Sequence, residues 1–211
     1  MRERVLLNGN QKYSGHWRSF ILFTCIVGFI VGYFSVLSDN LSDVSEGVTY
    51  LKFFISYLAV MINSLPMWFI LAMFVGYIFA RNVQKAVLLG ALYTITAITF
   101  YFVIGYFYQD VPVTISFQEQ AVAYATWYGA SAIGGILGGV LGFFMKKTSY
   151  ALLPLAVGLI LQLFVNGKSS WSDVVGIAQN ITCCLMIGSI VMYVVIVKCN
   201  AVPVKRKEER M

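Results

Sequence analysis

The sequence has little charge, and no charge lies in the middle of a long apolar run. Charged residues make up 11% of the 211 residues, whereas hydrophobic residues make up 59%. Soluble domains carry roughly a quarter charged residues, so this composition excludes an ordinary soluble domain. Charges inside a bilayer are costly and mark ion or proton pathways, so their absence argues against a proton-driven transporter and against a voltage sensor.

Patterns typical of catalysis and metal binding are also missing. The single histidine, His16, stands beside Trp17 and Arg18, where an interfacial side chain is expected. The sequence contains no H-E-x-x-H, no G-x-S-x-G and no C-x-x-C motif. The four cysteines lie within or at the end of apolar runs, where they act as small packing residues. We therefore expect a non-enzymatic protein with no cofactor and no metal.

Six apolar segments are what the chain does contain. About 20 helical residues cross the hydrocarbon core of a bilayer, so the segments predict an all-α integral membrane protein, a bundle of about six transmembrane helices. The predicted spans are residues 17–37, 61–80, 86–107, 121–145, 150–165 and 174–197. Residues 1–18 are an N-terminal tail and residues 199–211 a basic C-terminal tail, in which Pro203 argues against helix continuation.

The apolar stretch of residues 51–80 is too long for one upright helix, because thirty helical residues span about 45 Å. Two alternatives are open. Pro66 kinks one long tilted helix, or residues 51–60 lie on the outer interface and the span follows them. The second is favoured, because Lys52 suits an interface and Asn63-Ser64 ahead of the proline suits a helix start.

Basic residues predict the orientation. All Lys and Arg residues except Lys52 and Lys168 fall before or at the start of the first span, between spans two and three, between spans four and five, or after the last span. Since such loops stay cytoplasmic, we expect both termini in the cytoplasm and the protein in a bacterial inner membrane. The same distribution explains the net charge of +6 by membrane topology, so we expect no nucleic-acid partner. We also expect Lys205, Arg206 and Lys207 to contact anionic lipid, an attraction of about 1 kcal/mol for each residue.

Small residues recur at helical spacing. The predicted packing residues are Gly28 and Gly32 on the first helix, and Ala130, Gly134, Gly135, Gly138, Gly139 and Gly142 on the fourth. Spacing of four places such residues on one helix face, so another backbone approaches closely. The partner helix belongs either to the same chain, which is favoured, or to another chain.

Four amide side chains lie toward the outer ends of the predicted spans: Asn63, Gln162, Gln179 and Asn180. Together they predict a shallow polar pocket open to the outside. The alternative, which we favour at this point, is interhelical hydrogen bonding, worth about 0.6 kcal/mol on average.

Residues 63–142 carry a resemblance. The motifs Asn63-Ser64-x-x-x-Trp68, Phe74-x-Gly76, Ala86-x-x-x-Gly90 and Trp127 followed by the glycines resemble small bacterial multi-pass membrane proteins of unassigned function. The six-helix architecture with cytoplasmic termini is similar to the substrate-binding S components of energy-coupling-factor vitamin transporters. That resemblance implies a site beneath the outer loops. It also implies a first helix that docks on a transmembrane partner through small residues, for which Gly28 and Gly32 are the nearest match.

Three functions follow as hypotheses. The first, motivated by the glycines and the lack of intramembrane charge, is a membrane subunit, anchor or sensor that associates with a partner, as in an immunity or defence system. It would act as a homo-oligomer or with a membrane or cytoplasmic protein. The second is a solute-binding or transport protein of S-component type, whose ligand stays unknown. The third is an oligomeric channel with the fourth helix near its pore.

Overall fold

The computed structural model describes the backbone of residues 2–41, 49–108 and 116–208, and the side chains of residues 17–41, 49–108 and 116–199. Every regular element in these ranges is helical, as expected for the all-α class. The α-helices are α1 (Arg2–Asp39), α2 (Tyr50–Ile62), α3 (Leu65–Phe79), α4 (Val83–Tyr108), α5 (Phe117–Met145), α6 (Leu153–Asn166) and α7 (Val174–Glu208). The 3₁₀ turns Ser149–Leu152 and Ser169–Trp171 precede α6 and α7.

Five helical segments are long and apolar enough to cross a membrane. They are Trp17–Asp39, Val83–Tyr108, Phe117–Met145, Ser149–Asn166 and Val174–Cys199. The pair α2 and α3 meets the same criterion jointly and is bent by 65°, so the number of spans is five, or six if this pair counts as one broken span. The chain therefore has the helices of a multi-pass membrane protein.

The bend between α2 and α3 lies at Asn63-Ser64. Pro66 in the first turn of α3 has no backbone N–H with which to continue the preceding helix, and its fixed φ suits a new helix start. The Ser64 hydroxyl donates to the carbonyl of Met61 at 2.6 Å, which ties the bend to the end of α2. The long apolar stretch is therefore two helices, with the break directly before the proline.

The terminal helices extend beyond the predicted tail boundaries. α1 begins at Arg2 and α7 continues to Glu208, so the prediction of a helix end before Pro203 is wrong. Lys, Arg and Glu are good helix formers, and one proline removes a single backbone hydrogen bond from a helix that is otherwise intact. The side chains of Lys205, Arg206 and Lys207 lie outside the described residues, and their contact with lipid stays a prediction.

Helix α3 lies at the centre of the bundle. One cluster of buried side chains joins it to α1 and α4 through Phe20, Val75 and Tyr93. A second cluster joins it to α6 and α7 through Leu159 and Cys183. α5 packs along both α3 and α4, antiparallel to α4. This arrangement leaves room beside α3 where α5 and α6 separate.

The two ends of the bundle differ in charge. The basic end carries Arg18, Arg81, Lys85, Lys146, Lys147 and Lys198, and the acidic end carries Asp39, Glu119 and Asp173 together with Lys52 and Lys168. At the basic end, the Lys146 ammonium donates to the carbonyl of Ala80 at 2.7 Å and ties α5 to the end of α3. The charge segregation read from the sequence is thus also a segregation between the ends of the folded bundle.

Candidate functional site

The C-terminal half of α5, which lies toward the basic end, is in close contact with α3 through glycine. A Cβ atom built at Gly142 would overlap the carbonyl of Met73, and one built at Gly76 would overlap the carbonyl of Gly139. Gly138 faces Ala72 in the same contact. Backbones this close leave no room for a side chain, so glycine is required at these positions.

The adjacent face of α5 contacts α4 in the same way. A Cβ at Gly139 would overlap the carbonyl of Ala86, and a Cβ at Gly135 would overlap Thr94 and the carbonyl of Gly90. The Thr94 hydroxyl donates across this contact to the carbonyl of Ser131 at 2.7 Å. The glycines of α5 therefore serve two helix contacts within one chain.

The predicted packing role is wrong for Gly134 and Ala130. Nothing lies within 4 Å of a Cβ built at Gly134, and Ala130 is exposed. The spacing of four does place them on the face that carries Gly138 and Gly142. However, α3 begins at Leu65, so this contact does not continue along α5, and both residues line a cavity instead.

Gly28 and Gly32 are buried against α4. A Cβ at Gly32 would lie 2.8 Å from the backbone nitrogen of Tyr101, and a Cβ at Gly28 would lie 3.4 Å from the ring of Phe100. This face of α1 is covered by the chain itself. It is therefore not available for the partner docking that the S-component resemblance implies.

A cavity of about 580 Å³ lies between α3, α5 and α6 and reaches the acidic end of the bundle. Small-molecule sites have volumes of roughly 300–1,000 Å³ and mostly apolar walls with a few polar groups. The apolar and aromatic lining includes Leu65, Pro66, Trp68, Phe69, Ile98, Trp127, Leu155, Leu161 and Val165, and the polar lining consists of Asp39, Asn63, Thr94, Tyr101, Ser131 and Gln162. Volume and composition both match a ligand site.

A fixed carboxylate lies at the acidic end of the cavity. The Asn63 amide donates to one oxygen of Asp39 at 2.9 Å, and the Tyr101 hydroxyl donates to the other at 2.7 Å. The three residues come from the end of α1, the α2–α3 bend and α4. Because the two oxygens accept from residues of different elements, the bend and α4, the orientation of the carboxylate is set by the tertiary packing.

A chain of hydrogen-bonded amide side chains joins α6 to α7. Gln162 donates to Asn166 at 2.7 Å, and Asn166 donates to Asn180 at 2.8 Å and to Gln179 at 3.3 Å. Asn180 in turn donates to Ser170 at 2.8 Å. The structure thus brings Asn63 and Gln162 to one cavity. The predicted pocket role is wrong for Gln179 and Asn180, which are buried between α6 and α7 and do not line it.

The cavity is open between α5 and α6. These helices are joined by a tight turn at the basic end and separate toward the acidic end. Side chains along the opening are exposed: Trp127 on α5 by 55%, and Leu161 and Val165 on α6 by 58% and 74%. An apolar rim of this kind suits contact with hydrocarbon and with the apolar part of a ligand.

Four residues of the site were not predicted as such. The sequence pattern assigns Asp39 no site role, and Tyr101, Trp68 and Trp127 are residue types that are also common at the membrane interface. Only their neighbours on other helices identify them as lining residues. Among the described side chains, no group of three or more His, Cys, Asp and Glu could hold a metal ion, and the four cysteines are unpaired.

The sequence matches no protein-family model, and comparisons with curated proteins and with solved structures return no match. The geometry of the cavity is thus the basis for assigning a function.

Proposed function

We propose that this chain is a multi-pass membrane protein that binds a small solute in the cavity between α3, α5 and α6, without a chemical step of its own. The observation that carries the proposal is the cavity of about 580 Å³, which combines aromatic walls with the Asp39 carboxylate fixed by Asn63 and Tyr101. A few oriented polar groups in an apolar pocket provide affinity from the walls and specificity from the polar end.

The proposed location is a bacterial inner membrane, with the acidic end outside and the basic end in the cytoplasm. The support is the excess of Lys and Arg at one end, which cytoplasmic segments carry. α1 begins and α7 ends at that end, so both termini are cytoplasmic in this orientation. The end of the cavity that carries Asp39 then lies toward the outside, which suits uptake or sensing of an external solute.

Association with a partner and an oligomeric channel stay predictions with weaker support. Of the α5 glycines that motivated both, all but Gly134 contact α3 or α4 of the same chain, Gly134 lines the cavity, and Gly28 and Gly32 contact α4. These residues therefore do not supply an outward surface for a second chain. Solute binding is better supported, because two of the four amides on which it rests, Asn63 and Gln162, line one cavity.

Filling the cavity tests the proposal. Gly134 lines the cavity and has open space where a side chain would start, so Gly134→Phe should fill the cavity without displacing a helix. Gly129→Phe is the matched control, because Gly129 lies on the same helix, also has open space, and does not line the cavity. A second cavity-filling variant, Gly158→Phe, fills it from α6.

The assay is thermal unfolding of the purified protein in detergent, screened against a library of small solutes. A solute at roughly 100 times its Kd stabilises the native state by about 2.7 kcal/mol. We expect at least one solute to stabilise the wild type and Gly129→Phe, and to lose its effect on Gly134→Phe and Gly158→Phe. A library without any stabilising solute, or stabilisation that survives both cavity-filling variants, would overturn the proposal.

A further inference from the structure

The carboxylate of Asp39 is the only charged group that lines the cavity among the described residues. Its oxygens accept from an amide and a hydroxyl, which orient it but do not neutralise it. The acidic end has two basic residues, Lys52 and Lys168, and neither lines the cavity. The polar end of the cavity therefore carries a negative charge without a cationic partner in the lining.

The remaining polar groups of the lining mainly offer acceptors. Gln162 Oε1 is buried and has no hydrogen-bond partner in the described part of the chain. Its amide orientation follows from its neighbour: Asn166 uses its amide nitrogen for Gln179 and Asn180, so its oxygen must accept from Gln162 Nε2. The oxygen of Gln162 therefore accepts no hydrogen bond from the described residues, and its amide nitrogen is already used, so Gln162 adds no free donor to the lining.

Two of the lining residues already donate their hydroxyl protons to other groups of the protein. The Tyr101 proton goes to Asp39 and the Thr94 proton to the carbonyl of Ser131. A ligand rich in acceptors would thus meet few free donors, whereas an ammonium group brings up to three donors and no acceptor. The hydrogen-bonding pattern and the charge favour the same kind of ligand.

The aromatic walls suit that ligand as well. Trp68 and Trp127 both line the cavity, and tryptophan is the side chain whose ring attracts cations most strongly. Leu155, Leu161 and Val165 continue the lining toward the opening between α5 and α6. A ligand with a cationic group at one end and an apolar body at the other would complement the whole length of the cavity.

We infer that the solute is an organic cation, an ammonium compound with an apolar body, whose charged nitrogen lies beside Asp39 and whose body lies along the apolar walls toward the α5–α6 opening. This inference rests on the proposed function, since it assigns a ligand class to the same cavity. Carboxylates and phosphates are disfavoured, because they would meet the Asp39 charge with no basic side chain in the described lining.

Three probes that share one apolar body test the inference: 4-phenylbutylammonium, 4-phenylbutanol and 4-phenylbutyrate. Their affinities are measured by titration calorimetry on the full-length protein in a neutral detergent. Asp39→Asn removes the charge and keeps an acceptor for the neighbouring donors. Asp173→Asn is the matched control: it removes a charge from the same end, at a residue that accepts from the Gly176 backbone at 2.9 Å and does not line the cavity.

The expected result is that the wild type prefers the ammonium probe over the other two by about tenfold or more, the effect of one charged hydrogen bond. Asp39→Asn should lose that preference and Asp173→Asn should keep it. The comparison of probes on the wild type stands even if Asp39→Asn does not fold. Equal or tighter binding of the alcohol or the carboxylate, or an equal loss in both variants, would overturn the inference.

Failure of the inference and failure of the proposed function remain distinct. If the alcohol or the carboxylate binds best and Gly134→Phe removes that binding, the cavity is a solute site and only the cationic class is wrong. If none of the three probes binds, the inference is overturned, and the library screen with Gly134→Phe and Gly129→Phe decides on the proposed function by itself.

Discussion

Replacement of glycine by alanine on α5 should have opposite effects at Gly139 and Gly134. A Cβ at Gly139 would overlap the carbonyl oxygen of Ala86 and lie 3.2 Å from the Cα of Gly90, whereas a Cβ at Gly134 has nothing within 4 Å. Both positions lie inside the same helix. The two variants therefore add the same methyl group to the same kind of backbone, once into a helix contact and once into open space.

The magnitude follows from two terms. Alanine in place of glycine stabilises a helix interior by roughly 0.5–1 kcal/mol at either position. At Gly139, α4 must also move away from α5, and such overpacking costs about 1–3 kcal/mol. The helix term cancels in the comparison, so Gly139→Ala should be less stable than Gly134→Ala by about 1–3 kcal/mol, and Gly134→Ala should be more stable than the wild type.

The measurement is unfolding in mixed micelles with increasing sodium dodecyl sulfate, followed by far-ultraviolet circular dichroism. Gly142→Ala provides a second test at the contact with α3, where a Cβ would overlap the carbonyl of Met73. If Gly139→Ala and Gly142→Ala are as stable as Gly134→Ala, then the helices are not in the contact described, and the account of the glycines is refuted.

Two further predictions concern the bundle and its orientation. Thr94→Val removes the hydrogen bond from α4 to the carbonyl of Ser131 and should cost about 0.6 kcal/mol in the same unfolding assay. Thr96→Val removes only a bond to the carbonyl of Leu92 in its own helix and should be close to neutral; an equal effect of both would contradict the interhelical role. The orientation is tested in a variant whose four cysteines are replaced by serine. Because the acidic end is proposed to lie outside, Ser116→Cys should react with a membrane-impermeant maleimide on intact cells. Lys147→Cys, at the basic end, should react only after permeabilisation. The reverse pattern would overturn the proposed orientation.

The helices themselves were largely predictable, because each depends on a local run of apolar residues. The third predicted span, residues 86–107, corresponds to α4, Val83–Tyr108, and the break in the long apolar stretch lies directly before Pro66. The helix ends at the two tails were missed, since a charged segment gives no apolar signal and yet consists of good helix formers. Hydropathy reports burial in a membrane, and helical structure continues where hydropathy stops.

The candidate site was only partly predictable. Asn63 and Gln162, predicted as amides near the outer ends of spans, line one cavity, but the sequence did not link Asp39 and Tyr101 to them. Their contact depends on α1 and α4 running side by side, and on the bend that brings Asn63 to the end of α1. Such proximity joins residues that are far apart in the chain, and no periodicity within one helix contains that information.

The sequence by itself determined that the chain consists of long apolar helices, that one end of the bundle is basic, and that α5 can approach other helices closely, because these properties follow from composition and spacing within single segments. Only the tertiary structure decided which helices meet the glycines, and that Gly134 and Ala130 meet none. The physical reason is the bend before Pro66: α3 begins there and α2 runs off at 65°, so the apolar stretch does not continue straight along α5. The space left beside the start of α3 is the cavity on which the proposed function rests.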